Sequence, residues 1–423
     1  MKPRKKHLLR DRQALLDEIA ALQAENLRLR LGEPPARSAP DSPEEEAAAH
    51  PGDFSRFPLL RTVDEKYEDT LFGEPPAVLE PAPAQETPPA RTLAQITEHL
   101  RRYAAAHFGL YADRQLFAGF LGAMAASDFL LLRGGEAEHA PLAFCRAVAA
   151  AWGQSIEITP VQPDWNSPAD LLGAPDPVTR SYRETELLRA VYEAGYAEGV
   201  NFAVLEGVTA APAQCFSQLL PLLSLSHNPA RKITLADSAW PGDPLLFQNG
   251  TLSWPGNLWT VGTLPPGAPV PARQLCAAAM EFRLPGKQKA KAFLAPLEDP
   301  DPLPARQLRD LFTRAHESFA LPEDCLRQYA MTEQYLAEQM ELSLGAQAQP
   351  QLRTFGSVCL ACGLRPAEAL DGFFYHAGLR RLEQASDTAL KYGLPGLRRF
   401  MGETFGKRAM PLTMGYLEEM EGA

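Results

Sequence analysis

Cysteine is scarce in this sequence. Six residues of 423, at positions 145, 215, 276, 325, 359 and 362, sit mostly among apolar neighbours, which excludes a disulfide framework and suits reduced, buried thiols. "CLAC" at 359–362 is a lone CxxC with no second pair, so core packing accounts for it more readily than zinc or redox chemistry. Long apolar runs are missing as well. None reaches the ~18 residues of a membrane span, and the basic start "MKPRKKHLLRDR" leads into a charged, periodic segment instead of a signal-peptide core. A cytoplasmic protein with no membrane contact is the expectation. Excess positive charge is also absent, the formal net charge being -11, which argues against a body built to coat nucleic acid.

Proline is abundant by contrast, 39 residues in clusters, and such clustering marks linkers. Charge is uneven too: residues 1–31 carry eight Lys/Arg against four Asp/Glu, and 32–75 carry four against eleven. Leu8, Leu15, Leu22 and Leu29 recur every seventh position, with Ile19 and Asn26 at the second core position behind Arg12. A single core asparagine favours a parallel two-stranded coiled coil, because its amide pairs with its twin. Glu25 and Arg30 flank the seam. A homodimer contact over 1–31 follows, although three heptads are marginal alone and would assist other contacts; a lone surface helix is the plainer alternative. The basic stretch ahead of the heptads is too short for a DNA-gripping helix, so nucleic acid is not the expected partner.

Residues 32–92, rich in Pro, Ala and Glu, lack the apolar surface to fold and are expected to be a disordered linker. Within them "FSRFPLLRTVDEKYEDTLF" (54–72) carries enough apolar residues to dock on a partner or to collapse on itself. From Thr92 the spacing turns helical, through "TLAQITEHLRRYAAAHFGLY" and "RQLFAGFLGAMAAS". Strands are expected at "FLLL", "SIEITPV", "NFAVLEG" and "NLWTVGTL", alternating with helices such as "SYRETELLRAVYEAGY". That alternation predicts an α/β domain over 93–303 with a parallel sheet flanked by helices. After Pro304 the spacing predicts helices alone, a second domain over 304–423.

The stretch "FLLLRGGEAEHAPLAFCRAVAAAWG" (129–153) has the strand, glycine turn and helix order of a phosphate-binding loop. A working loop reads GxxxxGK[ST], with lysine on the outer phosphates and the hydroxyl on magnesium. Counted from Gly134, with Gly135 beside it, the second glycine position holds His139, the lysine position Ala140 and the hydroxyl position Pro141. Proline suits a first helical turn but brings neither hydroxyl nor N–H. Glu136 and Glu138 would repel phosphate. His139 is a poor replacement cation, since imidazole is mostly neutral at pH 7.

Taken in order over about 95–420, these elements resemble the AAA+ ATPases of the McrB type. "ITPVQPDWNSPADLLG" (158–173) matches best, through Pro163, Asp164, Trp165, Asp170, Leu171, Leu172 and Gly173. The resemblance implies a P-loop NTPase (AAA+)-like sheet with a C-terminal helical lid. It also puts "NFAVLEGVTAA" and "NLWTVGTLP" at the Walker B and sensor strands. Glu206 then stands for the metal-binding carboxylate, Gly207 for the water-orienting glutamate and Leu264 for a polar sensor. Cys276 and Ala277 stand where an Asp-Arg pair would complete a neighbour's site, and Arg353 and Arg365 are either lid relics or surface arginines. The implied protein has the motor's skeleton without catalytic residues, nucleotide cofactor or metal. It would be a pseudo-ATPase, a scaffold or adaptor for a protein partner such as an active AAA+ subunit. The alternatives are a weak or atypical nucleotide hydrolase of a McrB-like restriction or defence system, or an α/β fold in which 129–153 never was a phosphate loop.

Overall fold

The computed structural model describes residues 56–72, 91–135, 139–176, 178, 181–224, 231–237, 242–285, 298–406 and 408–422. The heptad residues Leu8, Leu15, Ile19, Leu22, Asn26 and Leu29 lie outside them, as does most of the expected linker. Three helices, α1 (Pro58–Phe72), α2 (Leu93–Phe108) and α3 (Arg114–Ala126), precede β1 (Phe129–Gly134). Then follow α4 (Ala140–Ala151), β2 (Ile156–Pro160), α5 (Pro168–Leu172), a hairpin of β3 (Ala174–Asp176) and β4 (Ser181–Arg183), α6 (Glu186–Ala194) and β5 (Asn201–Glu206). After α7 (Leu219–Ser224), β6 (Lys232–Thr234), β7 (Phe247–Gln248) and β8 (Thr251–Ser253) form a small antiparallel sheet. The main sheet resumes with β9 (Leu258–Leu264), α8 (Arg273–Ala278) and β10 (Met280–Leu284). The rest is helical: α9 (Ala305–Ser318), α10 (Glu323–Met340), α11 (Ala348–Ala361), α12 (Pro366–His376), α13 (Asp387–Phe405) and α14 (Pro411–Gly422).

The main sheet has five strands in the order β10-β1-β9-β5-β2, every neighbouring pair parallel. Alternate residues of a strand face opposite sides, and β1 uses both sides for packing. Leu130 and Leu132 enter one core with Phe202, Val204, Val261 and Phe282; Phe129 and Leu131 enter the other with Ala203, Leu205 and Leu264. A parallel sheet needs a cover on each face. Right-handed crossovers place that cover by direction of travel. The chain leaves β1 across the sheet to β2 at the far edge, then steps back through β5 and β9 and passes beyond β1 to β10. Accordingly α4 (Leu142, Phe144) packs in the first core and α6 (Leu187, Leu188, Val191) in the second. Connections from β1 and β9, adjacent strands, therefore depart in opposite directions. The crevice at their carboxyl ends is where open α/β sheets bind ligands.

The C-terminal helices join the first core directly. Leu308, Phe312, Leu352, Phe355 and Phe373 share it with Leu130 and Phe282. α3 and α11 touch so closely that a methyl group on Gly122 would lie 2.8 Å from the Phe355 ring. A buried ionic cluster adds a second tie at the sheet edge. Arg133 of β1 and Arg283 of β10 both bind Glu383, Arg283 also approaches Glu281 at 3.3 Å, and its guanidinium lies over the Tyr416 ring of α14. Burial opposes charge on Glu383, yet Arg283 and Arg133 outweigh it and hold its carboxyl below the ordinary range. On Glu281 burial prevails and its carboxyl is pushed up.

Within residues 32–92, the segment that sequence alone leaves between docking and collapse is the helix α1 on the chain's own α/β body. Pro58 opens it, as proline suits a first helical turn. The Glu184 carboxylate accepts the free N–H groups of Leu59 and Leu60 at 2.7 and 2.8 Å, a favourable site for negative charge. Phe57 stacks on Tyr182.

His376 ends α12 in full burial, stacked on Phe282, with Nδ1 accepting the Arg283 backbone N–H at 3.1 Å. Burial, aided by the Arg283 charge, depresses its pKa to about 3. Between pH 6.5 and 3 the unfolded chain therefore binds a proton that the native state refuses, so this histidine lowers stability as pH falls through that window. Urea midpoints of His376→Gln should decline less steeply than wild type between pH 6.5 and 4.5, even if the variant is weaker at pH 7. Parallel slopes would contradict the assignment.

Candidate functional site

The crevice begins where β1 ends. Gly134 and Gly135 both have positive φ, +92° and +83°, which only glycine adopts without strain. β10 supplies the reason. A methyl group on Gly134 would sit 2.4 Å from the Leu284 carbonyl oxygen, and the Gly135 N–H donates to that oxygen at 3.2 Å. A methyl on Gly135 would meet the Ala140 methyl at 2.3 Å. The two ends of the turn thus touch, and packing accounts for both glycines. Glu136 and Glu138, expected to repel phosphate, lie outside the described residues.

His139 caps α4 through its carbonyl, which accepts the Ala143 N–H at 2.9 Å; its side chain makes no capping bond. Ala140 and Pro141 open the helix, and Pro141 is buried. An anion at a helix N-terminus is held by free N–H groups, and proline removes one of them. Lysine and hydroxyl are both missing from this turn.

Across the crevice, β5 ends in Glu206, whose carbonyl accepts the Val161 N–H at 2.9 Å. Gly207 turns the chain at φ +72° and donates its N–H to the Thr263 hydroxyl at 3.1 Å. Leu264, the residue at the sensor position, is fully buried in the second core. It points no polar group at the crevice. The structure does bring His139 and Glu206 together: Nδ1 lies 3.4 Å from Oε1, with the imidazole 72% exposed and the carboxylate 33%. Pairs this exposed contribute at most ~1 kcal/mol. They do occupy the mouth of the turn with the chain's own side chains.

The remaining positions go elsewhere. Cys276 is buried in α8 while its carbonyl accepts from the Arg380 guanidinium, and Ala277 is exposed. In "PDWNSPADLLG", Asp170 accepts the N–H groups of Asn166 and Ser167, each at 3.0 Å, which holds its carboxyl low. Leu171 and Leu172 are buried, and Gly173 sits so near Arg183 that a methyl would fall 2.2 Å from its carbonyl. This segment caps a short helix and seats the following hairpin. Arg353 is exposed, and Arg365 pairs with Glu368 at the start of α12. Cys359 and Cys362 are buried in α11 and at its end, with their thiols pushed up by burial. Among the described residues no group of three His, Cys, Asp or Glu side chains could hold a metal, and no helix is long and apolar enough to cross a membrane.

Sequence reasoning missed Thr263 and the Arg133–Glu281–Arg283–Glu383 cluster. Thr263 stands one position before the residue expected to matter. The cluster's members are spread over 250 positions and carry no local spacing.

No family model and no curated protein matches this chain. One similar solved structure is that of a "putative ATPase" from Cytophaga hutchinsonii, 10% identical, at a TM-score of 0.46 over 73% of this chain and 92% of that one.

Gly134→Ala tests the packing account of the turn. The substitution combines a strained φ with a backbone clash and should cost at least ~2 kcal/mol, read as a lower urea midpoint without any ligand present. An unchanged midpoint would remove β10 as the reason for glycine there.

Proposed function

We propose that this chain is an AAA+-like protein of the McrB type that has lost nucleotide hydrolysis and serves as a scaffold or adaptor. The reading rests on the crevice at the carboxyl ends of β1, β5 and β9, which lies where such a fold would hold a triphosphate. It presents Ala140 and Pro141 where lysine and hydroxyl would be needed, Gly207 where a water-orienting carboxylate would stand, and a buried Leu264. Its one retained carboxylate, Glu206, is already approached by His139. Outer phosphates carry concentrated negative charge, and catalysis of their transfer is almost wholly positioning and charge neutralisation. Among the described residues the crevice presents neither a lysine nor a magnesium ligand pair for this work.

The scaffold half of the proposal draws on the way the helical part is held. One core runs from the sheet into α9–α13, and the Arg133–Arg283–Glu383 cluster ties β1 and β10 to the segment before α13. Opening that seam would expose apolar surface and uncompensated buried charge, each costly. A platform of fixed shape suits assembly better than a lid that must swing at each turnover. Self-association through residues 8–29 and a protein partner, such as an active AAA+ subunit, belong to the same proposal.

Melting curves of the full chain with ATP, GTP and ADP at 1 mM, with and without magnesium, test it. Ligands that bind only the native state raise the melting temperature by mass action, so the expected shift is none. A rise of several degrees that needs magnesium and disappears in Glu206→Ala would establish a working nucleotide site and favour the atypical hydrolase.

A further inference from the structure

α1 is bound to the body as a ligand is bound. Among the described residues, its long-range polar contacts go to residues 182–245, more than a hundred positions along the chain. The Arg56 guanidinium grips both oxygens of Asp243 at 2.8 and 2.9 Å, and the Arg56 carbonyl accepts the Tyr182 N–H at 2.6 Å. Glu184 caps the helix through the N–H groups of Leu59 and Leu60. One turn further on, buried Asp64 accepts both the Tyr192 and the Tyr196 hydroxyls on Oδ1 and the Leu245 N–H on Oδ2 at 3.0 Å. Lys66 closes the row on Glu193. Phe57, Leu60 and Val63 fill the apolar floor between these charges.

The complementarity runs both ways. The body offers carboxylates to Arg56, Lys66 and the helix N-terminus, and tyrosine hydroxyls to the single buried carboxylate of the helix. Removing the helix would leave Glu184, whose carboxyl burial already pushes up, facing a bare apolar floor. A groove so built demands an occupant with the Arg-Phe-x-x-Leu-x-x-Val-Asp pattern of residues 56–64. In this chain that occupant is separated from the next described residue by 18 positions, 73–90.

We propose that α1 is an exchangeable latch: in the assembled protein it also docks in the groove of a second copy of this chain. Every bond described above forms equally well with the second copy's body, so exchange alters no contact energy. At full extension, 18 residues reach ~60 Å, comparable with the span of a domain of this size. If residues 8–29 pair two chains, the second copy's groove is presented to α1 at millimolar effective concentration, competitive with its own. Exchange would link two bodies without any new surface, and it stands whether or not the crevice binds nucleotide.

The test uses two full-length chains with different tags, one Arg56→Cys and the other Asp243→Cys, mixed and treated with a short bis-maleimide. All six native cysteines are buried and stay outside the reaction. The chain carrying both substitutions is the control for docking, and Lys66→Cys with Glu193→Cys repeats the measurement with the Arg56–Asp243 pair intact. Exchange gives a covalent species bearing both tags, at least tenfold above mixtures in which one chain lacks its cysteine. If the doubly substituted chains cross-link only within themselves and both mixtures give no two-tag product, α1 is a fixed part of its own body and the proposal is wrong. It is equally wrong if the doubly substituted chains do not cross-link at all, since the groove then does not hold α1.

Discussion

The passage of β10 alongside β1 is the constraint on which the rest of this structure depends. It brings the Leu284 carbonyl against the end of β1, so that position 134 has to be glycine and the chain turns there with positive φ. It aligns Arg133 with Arg283 in register. Two guanidiniums side by side require carboxylates, and Glu281 and Glu383 provide them. The same register carries the Arg283 backbone N–H to His376, so the histidine is held neutral and buried as a hydrogen-bond acceptor. One strand pairing thereby sets the shape of the turn, the seat of the C-terminal helices and an acid-sensitive point in the core.

That constraint also decides how the glycine turn should be understood. Glycines in a phosphate-binding loop let the backbone come close to a ligand; here Gly134 and Gly135 let it come close to Leu284 and Ala140. The turn keeps its form because the sheet needs it, and its form therefore carries no demand for nucleotide. Buried leucines at 130–132 and 264 work in the same way, maintaining the strands through packing alone. The helix α1 belongs to a different order of interaction. It is held by a row of charged and aromatic contacts to residues 182–245, more than a hundred positions away in the chain.

Much of the fold was legible beforehand. β1, β5 and β9 announce themselves as β-branched and leucine-rich runs between turn residues, because strands buried on both faces are largely apolar, while β2, half-buried at the sheet edge, alternates apolar and polar residues. The helices after Pro304 show the 3.6-residue spacing of one buried stripe, although "PAEALDGFFYHAGLRRLEQ" breaks after His376 into a 3₁₀ turn. β10 escaped notice. "MEFRL" places Glu281 and Arg283 among its apolar residues, and charge at alternate positions suggests an exposed surface. All five are buried, because the charges neutralise one another across β1 and the C-terminal helices.

Composition and local spacing thus determined most elements of this protein, the lack of lysine and hydroxyl after Gly134, and the apolar content of 54–72. Those properties depend on neighbours in sequence, and neighbours in sequence are visible. Only the tertiary structure decided that the glycine turn is shaped by β10, that His139 leans toward Glu206, that four distant charges meet under the C-terminal helices, and that α1 lies against Tyr192 and Tyr196. Each of these joins residues tens to hundreds of positions apart, and a pairing that depends on where two separate elements come to rest leaves no periodic mark on either of them.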